Sequence, residues 1–201
     1  QTCALPIYEF LSDDILNPKT RIRLEGYLFP NTYEFFVTTN PRDVTIKLLD
    51  QTKRIYDKYK AQFDSNELTV HEVFILASIV QFEASKPDDM KKVASVFLNR
   101  LEIDMPLQSS VTVCYSLYEY DSWRDCETNP NIDSPYNTYK YRGLPVGPIM
   151  SPGEAAIIAV LEPADTDYFY FMADVYGDGT VYYAKTYAEH NANVDKYLKG
   201  R

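Results

Sequence analysis

The chain has 201 residues, 45% of them hydrophobic, with a formal net charge of -9 and no Lys/Arg-rich run. That balance argues against nucleic acid as a partner, since phosphate binding needs clustered basic residues, and against direct adsorption to anionic lipid. No stretch approaches the roughly eighteen uninterrupted apolar residues of a membrane span, and the size suits one globular domain with a substantial core.

The amino end opens at Gln1 without a start Met, a basic segment or a signal-like apolar core. It reads as an excised fragment whose anchor or targeting segment has been left out. Residues 24–36 are aromatic and partly alternating but interrupted by Pro30, which gives a strand or an extended loop. Asn40-Pro41-Arg42-Asp43 supplies an N-cap, a Pro at the first helical position and an acid in the first turn, opening a long helix to about Phe63. Thr69-Val70-His71-Glu72 is a capping box that opens an apolar helix over residues 70–85. Ser85-Lys86-Pro87-Asp88 restarts a helix with Met90, Val93, Phe97 and Leu101 on one face.

Residues 108–150 are rich in Pro, Asn, Ser and Tyr and show little periodicity, as functional loops often do. Ser151-Pro152-Gly153-Glu154 caps a helix that ends near Leu161, and Thr186-Tyr187-Ala188-Glu189 caps the last one. Between them, residues 167–174 and 180–184 flank Tyr176-Gly177-Asp178-Gly179 and read as a β-hairpin. The class is α+β, helix-rich with a small sheet or hairpin.

The 18 Tyr suit sugar faces and wet grooves, although most are expected to pack in strands. Cys3, Cys114 and Cys126 show no zinc spacing. Cys114 and Cys126 are near enough to close a loop in an oxidising space, and free thiols are the alternative. No Gly-rich phosphate loop and no nucleophile elbow is present. Asp174 and Asp178-Gly179 have the wrong spacing for a calcium loop and fit a hairpin turn.

One carboxylate stands out. Leu76, Ile79, Val80 and Glu83 fall on one helical stripe, so Glu83 continues an apolar face at the carboxyl end of its helix. Burial and the negative end of the helix dipole both disfavour its ionised form and would keep it protonated near neutral pH. On spacing alone the plainer reading comes first: amphipathic helices often end in a charge that caps a neighbour. Arg100, near another helix end, reads most simply as a dipole or ion-pair partner.

The order of longer motifs changes that balance. Leu24-Glu25-Gly26-Tyr27-Leu28-Phe29-Pro30-Asn31-Thr32-Tyr33 is followed by Leu76-Ala77-Ser78-Ile79-Val80-Gln81-Phe82-Glu83 and by Val93-Ala94-Ser95-Val96-Phe97-Leu98-Asn99-Arg100-Leu101. Then come Leu107-Gln108, Ser134-Pro135-Tyr136-Asn137-Thr138-Tyr139, Gly143-Leu144-Pro145-Val146-Gly147-Pro148-Ile149, Ser151-Pro152-Gly153 and His190-Asn191. From about Leu24 onward the series resembles the endolytic murein transglycosylase family, MltG or YceG-like. The resemblance implies one catalytic domain over residues 1–201 with a lytic-transglycosylase-like active-site helix, residues 1–23 being a partial lead-in. It implies membrane anchoring on the extracytoplasmic face, with the anchor and a LysM-like module absent from the fragment.

The same resemblance implies internal cutting of nascent peptidoglycan strands, with Glu83 as the catalytic acid/base and with no metal or organic cofactor. A single carboxyl group would cleave between MurNAc and GlcNAc and leave a 1,6-anhydroMurNAc end. Glu25, Asn99, Gln108, Asn137, Tyr139 and His190 are the candidates for positioning substrate, and glycan strands and cell-wall synthases are the expected partners. Gln81, Asn31, Ser110 and Val111 depart from the family pattern, which commonly has Glu, Asp, Asp and Pro there. Two rivals stand beside this reading. One is a hydrolase in which Glu25 or Glu72 faces Glu83, and the other is a non-catalytic glycan-binding or divisome scaffold.

Overall fold

The computed structural model describes residues 8–119, 121–122, 125–126, 129–174 and 176–199. Cys3, the start of the lead-in and Val175 of the hairpin turn lie outside the described residues. After a 3-10 turn at Asp13–Leu16 come α1 (Pro41–Lys58), α2 (Lys60–Ser65), α3 (Val70–Glu83), α4 (Pro87–Glu102), α5 (Ser110–Leu117) and α6 (Glu154–Leu161). Strands β1 (Tyr170–Ala173) and β2 (Val181–Ala184) follow, then α7 (Tyr187–Val194) and a π-helical turn at Asp195–Lys199. The fold is α+β.

Helix α3 is the spine. Its capping box forms in full, with the Thr69 hydroxyl accepting from the Glu72 amide and the Glu72 carboxylate accepting from the Thr69 amide. Residues 73–80 are all buried, so the helix is covered on every side. It stops at Glu83, two residues short of the expected end, where Ala84 turns extended at φ -142° and ψ 146°. Pro87 follows closely, and it disfavours helical backbone in the residue before it. Helices α4 and α6 pack against α3 and against each other. The Ser78 hydroxyl fixes the 143–150 loop by accepting from the Ile149 amide at 3.0 Å.

The long helix expected to run to Phe63 breaks at Tyr59, which leaves helical geometry at φ -113° and ψ 20°. The Tyr59 hydroxyl donates to Glu154 at 2.7 Å, and beyond the break the Phe63 ring packs on Tyr56 and Phe74 at 5.1 and 6.1 Å. Residues 24–36 form turns and extended chain without a strand. Gly26 is required there: its φ is +87°, and a Cβ would meet Pro148 carbons at 2.5 Å. Two motif loops far apart in sequence are thereby pressed together. The lead-in also joins the core through Tyr8, Phe10, Leu11 and Ile15.

The 108–150 stretch is not wholly irregular, because it contains α5. Thr112 and Ser116 hydroxyls bond back to the Ser109 and Thr112 carbonyls, and Cys114 is disulfide-bonded to Cys126 with 4.8 Å between Cα atoms. These ties hold a β-branched segment helical where periodicity gives no signal. Closing so short a loop contributes about 3 kcal/mol. The Cys114→Ser/Cys126→Ser variant is therefore expected to melt roughly 6–12 °C lower. Thermal unfolding should show the parent in reductant converging on that value.

The hairpin forms as anticipated, with Tyr170 opposite Ala184 and Ala173 opposite Val181. The Asp178 carboxylate caps the turn by accepting from the Thr180 amide at 2.9 Å. Helix α7 packs across both strands. Among the described residues no helix is long and apolar enough to cross a membrane.

Candidate active site

Glu83 ends α3 at the edge of a cavity of about 540 Å³. Its walls come from Phe97 and Arg100 of α4, the 107–110 loop, Tyr139, the hairpin, and Tyr187 and His190 of α7. Among the described residues that line this cavity Glu83 is the single carboxylate. Glu83 Oε1 accepts from the Ser109 hydroxyl at 2.6 Å.

Ser109 is itself rigidly held. Its amide donates to the Thr138 hydroxyl at 3.0 Å, and its carbonyl accepts from the Thr112 hydroxyl at 2.7 Å. The Thr112 and Thr138 hydroxyls are 2.9 Å apart, and the Gln108 amide donates to the Thr138 carbonyl at 3.1 Å. Gln108 sits at φ +50°, a left-handed conformation that costs about 1–3 kcal/mol for a non-glycine residue. This buried hydroxyl network holds the strained turn in place at the lip of the cavity.

Arg100 is buried in the last turn of α4, where its charge acts on Glu83, and it does more than the dipole or ion-pair role read for it. Its guanidinium donates to the Phe169 carbonyl and the Leu107 carbonyl, both at 2.6 Å, and lies 5.2 Å from the centre of the Tyr170 ring. One side chain thus ties α4 to the 107–110 loop and to the entry of β1.

Burial pushes the Glu83 carboxyl up from the usual carboxylate range, against weaker lowering by the Ser109 hydrogen bond and by the Arg100 charge. The group is an acid biased toward its protonated form, with one neighbour ready to stabilise the carboxylate it becomes. Burial and then the Arg100 charge lower His190, which keeps its imidazole neutral. The His190 ring stacks on Tyr170 at 5.5 Å, and its buried Nδ1 has no hydrogen-bond partner among the described residues.

Gln108, Tyr139 and His190 come together with Glu83 around the larger cavity. The other three candidates do not line it. Asn99 donates to the Thr166 and Tyr168 carbonyls, both at 2.9 Å, and fastens the strand leading into β1. Asn137 is buried, donates to the Pro130 and Ile132 carbonyls at 2.9 and 2.8 Å, and accepts from the Tyr139 amide at 2.9 Å. Glu25 is half-buried with its carboxyl raised by burial, and its charge acts on Tyr115 and Tyr136. Glu72 caps the opposite end of α3, about 16 Å along the helix from Glu83. Gln81, noted for its departure from the family pattern, accepts from the Gly153 amide at 3.0 Å and so anchors the start of α6.

Sequence reasoning missed Ser109, Thr112, Thr138, Tyr170 and Tyr187. Ser109 directly follows the Leu107-Gln108 motif, and that adjacency was the one available signal. Ser109→Ala removes a donor to the carboxylate, so the Glu83 pKa is expected to rise further. The alkaline limb of any activity that needs the protonated acid would then move to higher pH. The rate is expected to fall about ten- to a hundredfold as the carboxyl loses its fixed position. Ser109→Thr, which keeps the hydroxyl, should restore the parental pH profile.

These features define a helix-rich α+β domain with one buried carboxyl group at the end of its central helix, opening into an aromatic-walled cleft. The chain belongs to the YceG-like family, whose model matches residues 7–196. It is 39% identical over 195 residues to the endolytic murein transglycosylase of Bacillus subtilis strain 168, covering 95% of this chain and 52% of that protein. A protein of the same name from Streptococcus pneumoniae serotype 2 is 38% identical over 185 residues, covering 90% and 33% respectively. The chain thus spans from about a third to about half the length of these relatives. A crystal structure of a YceG-like protein from Listeria monocytogenes superimposes with a TM-score of 0.86 at 37% identity, covering 95% of this chain and 62% of that one.

Proposed function

We propose that this chain is a peptidoglycan lytic transglycosylase domain that cuts glycan strands internally, with Glu83 as its acid/base. The observation that carries the reading is a carboxyl group raised by burial and standing alone among the described lining residues of the larger cavity. Ordinary glycosidases use two carboxylates across the scissile bond, and a transglycosylase can manage with one. The names of the relatives support the same substrate.

Protonated Glu83 donates its proton to the glycosidic oxygen between MurNAc and GlcNAc, and the bond from that oxygen to MurNAc C1 breaks. The Glu83 carboxylate then takes the proton from the MurNAc C6 hydroxyl as O6 bonds to C1. The products are a 1,6-anhydroMurNAc end and a free GlcNAc hydroxyl, and no water is consumed. Ser109 steadies the carboxylate in the second half of the cycle. Gln108, Tyr139 and His190 line the groove, where the unpartnered Nδ1 of a neutral His190 suits a sugar hydroxyl. Asn99 and Asn137 act by holding the chain around that groove.

The Cys114–Cys126 bond is consistent with an oxidising compartment, and we place the domain on the extracytoplasmic face, membrane-anchored and working beside cell-wall synthases. Mass spectrometry of fragments released from uncrosslinked peptidoglycan tests the reaction. Internal fragments with anhydro ends are expected. A hydrolytic second reading draws on Asp89, which lines a smaller cavity that also touches Glu83. Reducing ends would select that reading, and an absence of product would select the scaffold.

A further inference from the structure

Glu83 does not close off the end of its cavity. It also lines a second, smaller cavity of about 310 Å³, and the two cavities share Ala173 and Val181 of the hairpin as well. The acid therefore stands at a junction. A bond cut by Glu83 has one half of its polymer in the larger cavity, and the other half must leave through the smaller one. An acid at a closed end would trim chain ends, whereas an acid at a junction admits a strand that continues on both sides.

The lining of the smaller cavity indicates its ligand. Phe82 precedes Glu83 and is 55% exposed, although residues 73–80 of the same helix are buried. An aromatic face left open beside a polar cavity suits the apolar C–H face of a pyranose. The charged residues of the rim are of both signs. Lys86 and Asp89 both line it, and the Asp89 carboxylate accepts from the Tyr183 hydroxyl at 3.0 Å. Glu83 apart, a rim of one cation and one carboxylate favours neither an anionic nor a cationic ligand, and both groups hydrogen-bond hydroxyls. The volume is at the small end of the roughly 300–1,000 Å³ usual for ligand sites, which fits a single ring.

We propose that the smaller cavity is a second sugar-binding arm across Glu83 from the aromatic-walled one, with Phe82 as stacking platform for one neutral pyranose of the strand. The proposal rests on the glycan-cleaving reading above for its substrate, but its test is a binding measurement that needs no turnover. Glu83→Gln protein is titrated calorimetrically with chitotetraose, the β-1,4-linked GlcNAc tetramer. The same titration is then made with Phe82→Ala and Phe82→Trp added.

Phe82→Ala is expected to weaken binding five- to tenfold and Phe82→Trp to restore it. Thermal unfolding should be little changed in either, because the side chain is exposed. In the catalytically intact protein Phe82→Ala should raise KM on glycan strands by a similar factor. An unchanged dissociation constant for Phe82→Ala, or no binding of chitotetraose by the Glu83→Gln protein, would overturn the arm. If Phe82→Ala weakens binding while the parent yields no anhydro ends, the arm stands and the transglycosylase reading falls.

Discussion

Glu83→Gln is expected to lower the release of anhydro-ended fragments by about 10²–10⁴-fold, the range that positioned acid/base groups contribute. Glutamine keeps the shape and can still receive the Ser109 hydrogen bond, but it has no proton to give at pH 7. The substitution should also leave the fold more stable at neutral pH. Burial raises the Glu83 pKa above that of the unfolded chain, so the native state holds this proton where the unfolded state has lost it. Stability associated with Glu83 is then fully present below the unfolded pKa and is lost as pH rises toward the folded one. Urea unfolding of parent and variant should therefore coincide near pH 3.5 and separate at pH 7.5, with the Gln variant the more stable. A variant less stable at both pH values would mark Glu83 as a structural carboxylate.

The second large effect is expected at Arg100. Arg100→Ala removes two strong charged hydrogen bonds and leaves the Phe169 and Leu107 carbonyls short of a donor in a buried setting. Hydrogen bonds of charged groups contribute about 1.5–3 kcal/mol each, which gives a loss of about 3–6 kcal/mol. A melting temperature lower by roughly 6–24 °C follows for a chain of this size. Arg100→Lys should recover little, because one ammonium cannot reproduce the planar fork that spans both carbonyls. The variants also withdraw a cation from Glu83 or displace it, so any residual cleavage should show its alkaline limb at higher pH. Parental stability in Arg100→Ala would show that the 107–110 loop does not depend on this tie.

Helix starts were legible locally, and helix ends less so, since two helices stop short of their expected ends. The capping residues Asn40, Thr69 and Thr186, and the first-turn Pro of α1 and of α4, each announce a helix through a side chain acting on its own first turn. The hairpin was legible for the same reason. Glu83 was visible as a carboxylate on an apolar stripe, and the order of motifs is what pointed to a catalytic role for it.

The remainder depends on contacts that no local pattern encodes. Helix α5 looks irregular in sequence because its ties are a disulfide and back-bonding hydroxyls instead of an apolar period. Tyr59 breaks its helix, and its partner Glu154 is nearly a hundred residues away. Asn99 and Asn137 present the same amide as a ligand-binding residue would, and only the fold shows that neighbouring carbonyls already occupy it. Ser109 is an ordinary serine until Thr138 and Thr112 fix it against Glu83. Sequence alone determined where the capped helices and the hairpin begin and which carboxylate to watch. The tertiary structure decided what surrounds that carboxylate, because burial and hydrogen bonding between distant segments set its protonation and its reach.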